Sequence, residues 1–202
     1  MKTSISLSLT ILACAGLAAC ASPRPTAMMG GPAAVPATPA VVANSRTPVA
    51  VAPVTVLGTA EQSFIAVAAG SGMYEVEAAR LAASRAADPQ VRSYAQMLVD
   101  HHTANNSELM ALVSTKGHRV APGLPAALQQ KLAMLQGLSG PAFDRAFVLN
   151  TGVQDHLSAI GEFERRRGTL VDRDVLAYLD RTLPALQAHL QQARDLAGRM
   201  AG

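Results

Sequence analysis

The stretch Asp88 to Gly117, DPQVRSYAQMLVDHHTANNSELMALVSTKG, constrains this chain more than any other, because it carries complete helix punctuation. Asp88 is a good N-cap, and Pro89 suits the first helical position, where no amide donor is needed. Gly117 can take the left-handed conformation that stops a helix. Between these marks Val91, Tyr94, Leu98, His101, Asn105, Glu108 and Leu112 recur in steps of three and four, the spacing of a seam facing partner helices. The middle of that seam is polar. A polar group on a buried face needs a partner, so the helix predicts both a bundle and a site inside it.

The rest of the chain repeats the pattern. A first helix is expected from Thr59 to Ala87, with Thr59 and Gln62 spaced as a capping box and a seam through Phe64, Val67, Ser71, Tyr74, Ala78 and Leu81. Gly70 and Gly72 interrupt it at about 1 kcal/mol each unless a neighbour packs closely there. The short join at Asp88 and Pro89 folds the first two helices into an antiparallel hairpin. After Gly117 come a proline-containing loop and a short amphipathic piece, Ala126 to Gln136, read as a crossover or cap. A third helix runs from Ser139 to Gly168 with its seam at Ala142, Ala146, Leu149, Val153, His156, Ile160 and Phe163. The fourth runs from Thr169 or Asp172 to Met200 through Val175, Leu179, Thr182, Leu186, His189, Ala193 and Leu196, with a kink expected at Pro184. The absence of Trp, an aromatic content of 3% and abundant Ala suit close helix packing and give β-structure little support. The fold class expected is therefore all-α, an up-down four-helix bundle with a short extra helix between helices two and three.

The amino terminus points to a compartment. Lys2 precedes an apolar run from Ile5 to Ala19 that is too short to span a bilayer and has the form of a secretory signal, residues 1–19. It ends in Leu17, Ala18, Ala19 and Cys20, which resembles a bacterial lipobox whose cysteine is acylated. Loss of Cys14 with the signal and lipidation of Cys20 would leave no free thiol and no disulfide, excluding a thiol enzyme. Ala21 after the cysteine favours, by resemblance to lipoproteins, the outer membrane facing the periplasm. Seven of the 12 prolines fall within residues 21–58, so 20–58 reads as a lipidated, extended tether and 59–202 as the folded domain. The net charge of +3 comes from Lys2, Arg24 and Arg46, and the domain itself holds 14 basic and 14 acidic side chains. Nucleic acid is thus not an expected partner, whereas the membrane is, through the lipid; no protein partner can be named.

Three of the five histidines, His101, His156 and His189, lie on the seams of three helices, and Glu75 lies beside the seam of the first. Glu75 and His101 stand equally far from Asp88, so across the hairpin they should share one height. His189 lies about five residues farther from the turn than His156, a mismatch of roughly 7 Å at 1.5 Å per residue. Imidazole and carboxylate converging between helices suit one transition-metal ion, Zn, Fe or Cu. Asp100, Asp155, Asn105 and Glu108 are candidates to support such ligands from outside, while His102 and His118 are expected to be exposed. The alternative is a neutral hydrogen-bonded histidine seam that fixes helix register. A di-iron site of the usual kind needs Glu three residues before His on two helices, and Leu98, Val153 and Leu186 stand there instead.

The strings FIAVAAGSGMYEVEAARLAASRA, VRSYAQMLVDHHTANNSELMAL, FDRAFVLNTGVQDH and LPALQAHLQQA closely resemble the bacterial family catalogued as domain of unknown function 4142, from about Glu61 to Leu196. The resemblance implies a ferritin-like fold, an outer-membrane setting and motif positions at Glu75, His101, His156 and His189. The expected function is an outer-membrane-anchored helical module that holds a metal ion without catalysis. A metal-dependent periplasmic oxidoreductase and a structural envelope protein acting through protein contacts are the alternatives.

Overall fold

Asp88 caps the second helix as expected, its carboxylate accepting the Gln90 amide at 2.6 Å, and Pro89 occupies the first turn. The computed structural model describes residues 56–200, and the expected signal sequence, Cys20 and nearly all of the expected tether lie outside them. Among the described residues the regular structure is entirely helical. It comprises α1 (Thr59–Arg85), α2 (Pro89–Thr115), α3 (Ala126–Gln136), α4 (Gly140–Ala146), a π-helical segment (Phe147–Asp155), α5 (His156–Arg167) and α6 (Arg173–Met200). No helix among them is long and apolar enough to cross a membrane.

α4, the π segment and α5 form the third long rod, and Pro184 lies inside the fourth, α6. The rods pair as two antiparallel hairpins. Their relative direction follows from contacts at the two ends of α2. At its start, the Asp144 carboxylate in α4 accepts the amides of Ala87 and Asp88 at 3.0 and 2.7 Å; at its end, Lys116 pairs with Asp172 just beyond α5 at 2.9 Å. α2 and the third rod therefore run parallel, and the segment containing α3 carries the chain back along the bundle. The up-down alternation holds within each hairpin and not across this crossover. Replacing Asp144 with Ala would leave two amides without their acceptor, and the expected cost is about 1–3 kcal/mol, read as a lower urea midpoint.

Several local expectations are corrected. Gly58, not Thr59, is the N-cap of α1, and no side chain caps it; Gln62 instead donates to the Leu57 carbonyl at 2.8 Å. Val67 is exposed while Ile65, Ala68 and Ala69 are buried. In α2 the buried face runs through Val91, Ala95, Leu98, His102, Leu109 and Val113, one position out of phase with the expected seam after Leu98. In the third rod Ala142 and Leu149 are exposed, and Phe143, Phe147, Val148, Thr151 and Gly152 are buried instead. The cause is the π segment: its i→i+5 bonding adds a residue to the turn, so counting back from His156 with an α period selects the wrong face. Gly72 sits where α1 and α2 nearly touch, since a Cβ there would lie 2.1 Å from Asn106 Oδ1.

The core has two apolar layers. One contains Tyr94, Leu98, Phe143, Phe147 and Leu196, and the other Phe64, Ile65, Leu109, Phe163 and Leu179. Each such side chain contributes about 1.5–3 kcal/mol on burial. Between the layers lies a buried polar belt of Glu75, His102, Thr151, His156, Thr182 and His189. The packing that excludes water from this belt also fixes where its side chains meet.

Candidate metal centre

His102 from α2, His156 at the end of the π segment and His189 from α6 are 5%, 0% and 2% exposed. One ring nitrogen from each lies within 4.8 Å of the other two. The π segment brings His156 there, and Gly152 lets the third rod approach closely: a Cβ on Gly152 would sit 2.8 Å from that of Ala193 and 3.3 Å from the Tyr94 hydroxyl. That hydroxyl donates to the His189 carbonyl at 3.2 Å.

The tautomer of His156 follows from its neighbour. Nδ1 is 3.0 Å from the Thr151 carbonyl, which can only accept, so Nδ1 carries the proton and Nε2 of the neutral ring is bare. Thr151 is held in turn by the Tyr74 hydroxyl at 3.0 Å. Nε2 of His156 lies 3.3 Å from His189 Nδ1, and His189 Nε2 lies 2.8 Å from His101 Nδ1, the two rings stacked at 5.1 Å. His101 is thus an exposed partner on the outer edge of His189, while His102, expected to be exposed, takes the inward position. The sequence signal for His102 was the four-residue step from Leu98, which points into the same seam as the step of three to His101.

Burial pushes the pKa of His102 well below its usual value and lowers that of His156; for His102 the neighbouring imidazoles add to the effect. His189 is taken down to about 3, by burial first and then by His156 and His101. These rings are neutral at pH 7, as metal ligands must be. His102 Nε2 is buried without a hydrogen-bond partner, and so is Glu75 Oε2. A buried polar atom left this way costs about 1–3 kcal/mol. A soft or borderline cation held by the three rings would satisfy His102, and the Thr151 carbonyl already orients the far nitrogen of His156 as such ligands usually require. The donor set therefore fits a transition-metal ion.

The other expected residues are placed as follows. Glu75 is buried beside His156, but its Oε1 lies 3.8 Å from Nδ1, the edge of the ring facing away from His189. Burial, reinforced by the charge of Asp155, raises the Glu75 pKa well above the usual carboxyl value. Asp155 pairs with Lys131 of α3, a residue the sequence did not single out. Asn105 donates to the Tyr178 hydroxyl at 2.7 Å and accepts from Thr182 at 2.9 Å, away from the ring nitrogens. Glu108 forms an exposed pair with Arg181. Asp100 is exposed and accepts from Gln96, and His118 is half-buried. The expected height mismatch of His189 is closed in the structure, where its Nδ1 lies 3.3 Å from His156 Nε2.

A cleft of about 360 Å³ between α2 and α6 reaches this cluster, lined by His101, His102, Asn105, Thr182, Leu186 and His189 among others. It opens on the exposed His101 at the edge of the cluster.

A family model described as "Domain of unknown function (DUF4142)" matches residues 46–196. Among solved structures, the chain is similar to a two-domain protein from Anabaena variabilis containing DJ-1/ThiJ/PfpI-like and ferritin-like domains, at 14% identity and a TM-score of 0.51. The match covers 72% of this chain and 38% of that one, so it spans less than half of the neighbour and shows the ferritin-like fold alone. No curated protein matches the chain.

Proposed function

This chain belongs to the DUF4142 family, and from that premise we propose that its ferritin-like domain binds one transition-metal ion, Zn, Fe or Cu, between His102, His156 and His189. In this reading the role is non-catalytic, and an acylated Cys20 followed by the proline-rich tether holds the domain at the outer membrane, facing the periplasm. The observation that carries the metal reading is the convergence of three buried rings, one nitrogen from each within 4.8 Å of the others. His101 and the Thr151 carbonyl serve as positioning groups, each on the far nitrogen of a ligand ring. The tether reading is supported by Leu17-Ala18-Ala19-Cys20 and by the density of prolines after it.

Metal analysis of the full chain purified in detergent tests this. About one ion per chain is expected, falling to near zero in His102→Ala/His156→Ala; an unchanged ratio in that double variant removes the reading. When bound, such an ion supplies Lewis acidity or a redox couple according to its identity. The cleft to His102 and His189 favours a second reading, a metal-dependent oxidoreductase. Bound redox-active iron together with peroxide turnover would select it.

A further inference from the structure

Tyr74 of α1 is buried in the apolar layer that holds Tyr94, Leu98 and Phe147, a place where Phe would fill the same space. A hydroxyl buried there costs stability unless it has a partner. The partner is the hydroxyl of Thr151, 3.0 Å away on the π segment and itself buried. A threonine inside a helix commonly turns its hydroxyl back onto the carbonyl four residues earlier, here that of Phe147. Thr151 instead bonds across to α1, and its own carbonyl faces His156 Nδ1 at 3.0 Å. The same segment is held from a second helix. Lys131 of α3 places its ammonium 5.1 Å from the centre of the Tyr74 ring and also binds Asp155, the residue before His156. Thr151 and Asp155 are thus both pinned in the stretch that leads into His156, and Gly152 between them lies against Ala193 and Tyr94. A π-helical stretch of this length is unusual, so contacts from other helices must hold it against the α register.

We propose that Tyr74 is a positioning residue for the His156 ring: its hydroxyl anchors Thr151, the Thr151 carbonyl keeps the imidazole proton on Nδ1, and Nε2 is left bare toward His189. A neutral imidazole with no fixed acceptor at Nδ1 is free to carry its proton on Nε2 instead, and a protonated Nε2 is closed to a metal ion. The hydroxyl of Tyr74 therefore acts on the cluster through two intervening groups without touching it. The anchoring of the ring holds in the metal-free chain, and its consequence for an ion rests on the three-imidazole reading above.

Two measurements on the full chain in detergent test this. In the metal-free protein at pH 7, the nitrogen chemical shifts of the His156 ring, which separate the two neutral tautomers, should show the Nδ1–H form alone in wild type and a mixture in Tyr74→Phe. Zinc affinity, measured by competition with a chromophoric chelator, should fall ~10-fold in Tyr74→Phe, the lower end of what losing an outer partner of a metal-binding imidazole costs. Thr151→Val should match it, and the double variant should be no weaker than either alone, because both remove the same bond. Thr151→Ser keeps the hydroxyl and should behave as wild type. So should Tyr178→Phe, which deletes a buried tyrosine hydroxyl whose partner is Asn105. The proposal is overturned by an unchanged zinc affinity in Tyr74→Phe, by effects that add in the double variant, or by a His156 ring that stays Nδ1–H in Tyr74→Phe because Glu75, 3.8 Å from that nitrogen, replaces the carbonyl. Thr151→Val carries both comparisons should Tyr74→Phe fail to fold. If wild type takes up no zinc, the imidazole reading fails by itself, while the tautomers of wild type and Tyr74→Phe still decide whether the hydroxyl positions the ring.

Discussion

Zinc at a thousandfold excess over its dissociation constant should stabilise the metal-free chain by about 4 kcal/mol, and His102→Ala should abolish most of that gain. The stabilisation arises because the three rings are neutral and held together only in the folded bundle, so the ion binds the native state in preference to the unfolded one. For a domain of this size the expected rise in thermal midpoint is on the order of 10 °C, measured by circular dichroism with and without zinc. Comparing each variant with itself cancels the cost of the cavity left by a missing imidazole. His118→Ala, away from the cluster, should keep the full shift. An equal zinc shift in wild type and His102→Ala would show that the ion sits elsewhere.

In the metal-free chain, stability should fall steeply as pH drops from 6.5 to 5. His102, His156 and His189 have folded-state pKa values below the unfolded value, so in this window the unfolded chain takes up protons that the native state refuses. Each ring that stays neutral contributes a slope of up to about 1.4 kcal/mol per pH unit. Glu75 acts with the opposite sign: its raised pKa makes its burial cost stability above its unfolded value, and acidification relieves that cost. Asp155 follows Glu75 in sign, tempered by Lys131. Three rings against two carboxyls make the net effect of acidification a loss of stability. Urea midpoints at pH 7, 6 and 5 measure it, and bound zinc should flatten the dependence by keeping the ligands deprotonated. Midpoints that stay level without metal would mean that the rings titrate normally and are not held dry.

The ends of the helices were legible because their signals are short-range. Asp88 with Pro89 starts α2, Gly117 ends it at a positive φ, and Pro141 sits in the first turn of the third rod. The antiparallel first hairpin followed from the brevity of its turn, and the match of Glu75 in height to the histidines from equal counts along two α-helices. Which histidine faces inward was not legible. Adjacent residues on a helix are separated by only about 100°, so His101 and His102 flank one seam, and the packing of α6 and the third rod against α2 decides between them.

By itself, then, the amino-acid order specified an all-helical domain over residues 59–202, its breaks and a polar band at mid-height, since propensity, capping and burial pattern act over one or two turns. The tertiary structure alone decided the company each polar group keeps. A π-helical insertion turned the third rod by a residue, the packing of α6 brought His189 within 3.3 Å of His156, and α3 delivered Lys131 to Asp155. Each of these depends on how rods distant in sequence lie against one another, and the free energy that selects such an arrangement belongs to the packed core as a whole.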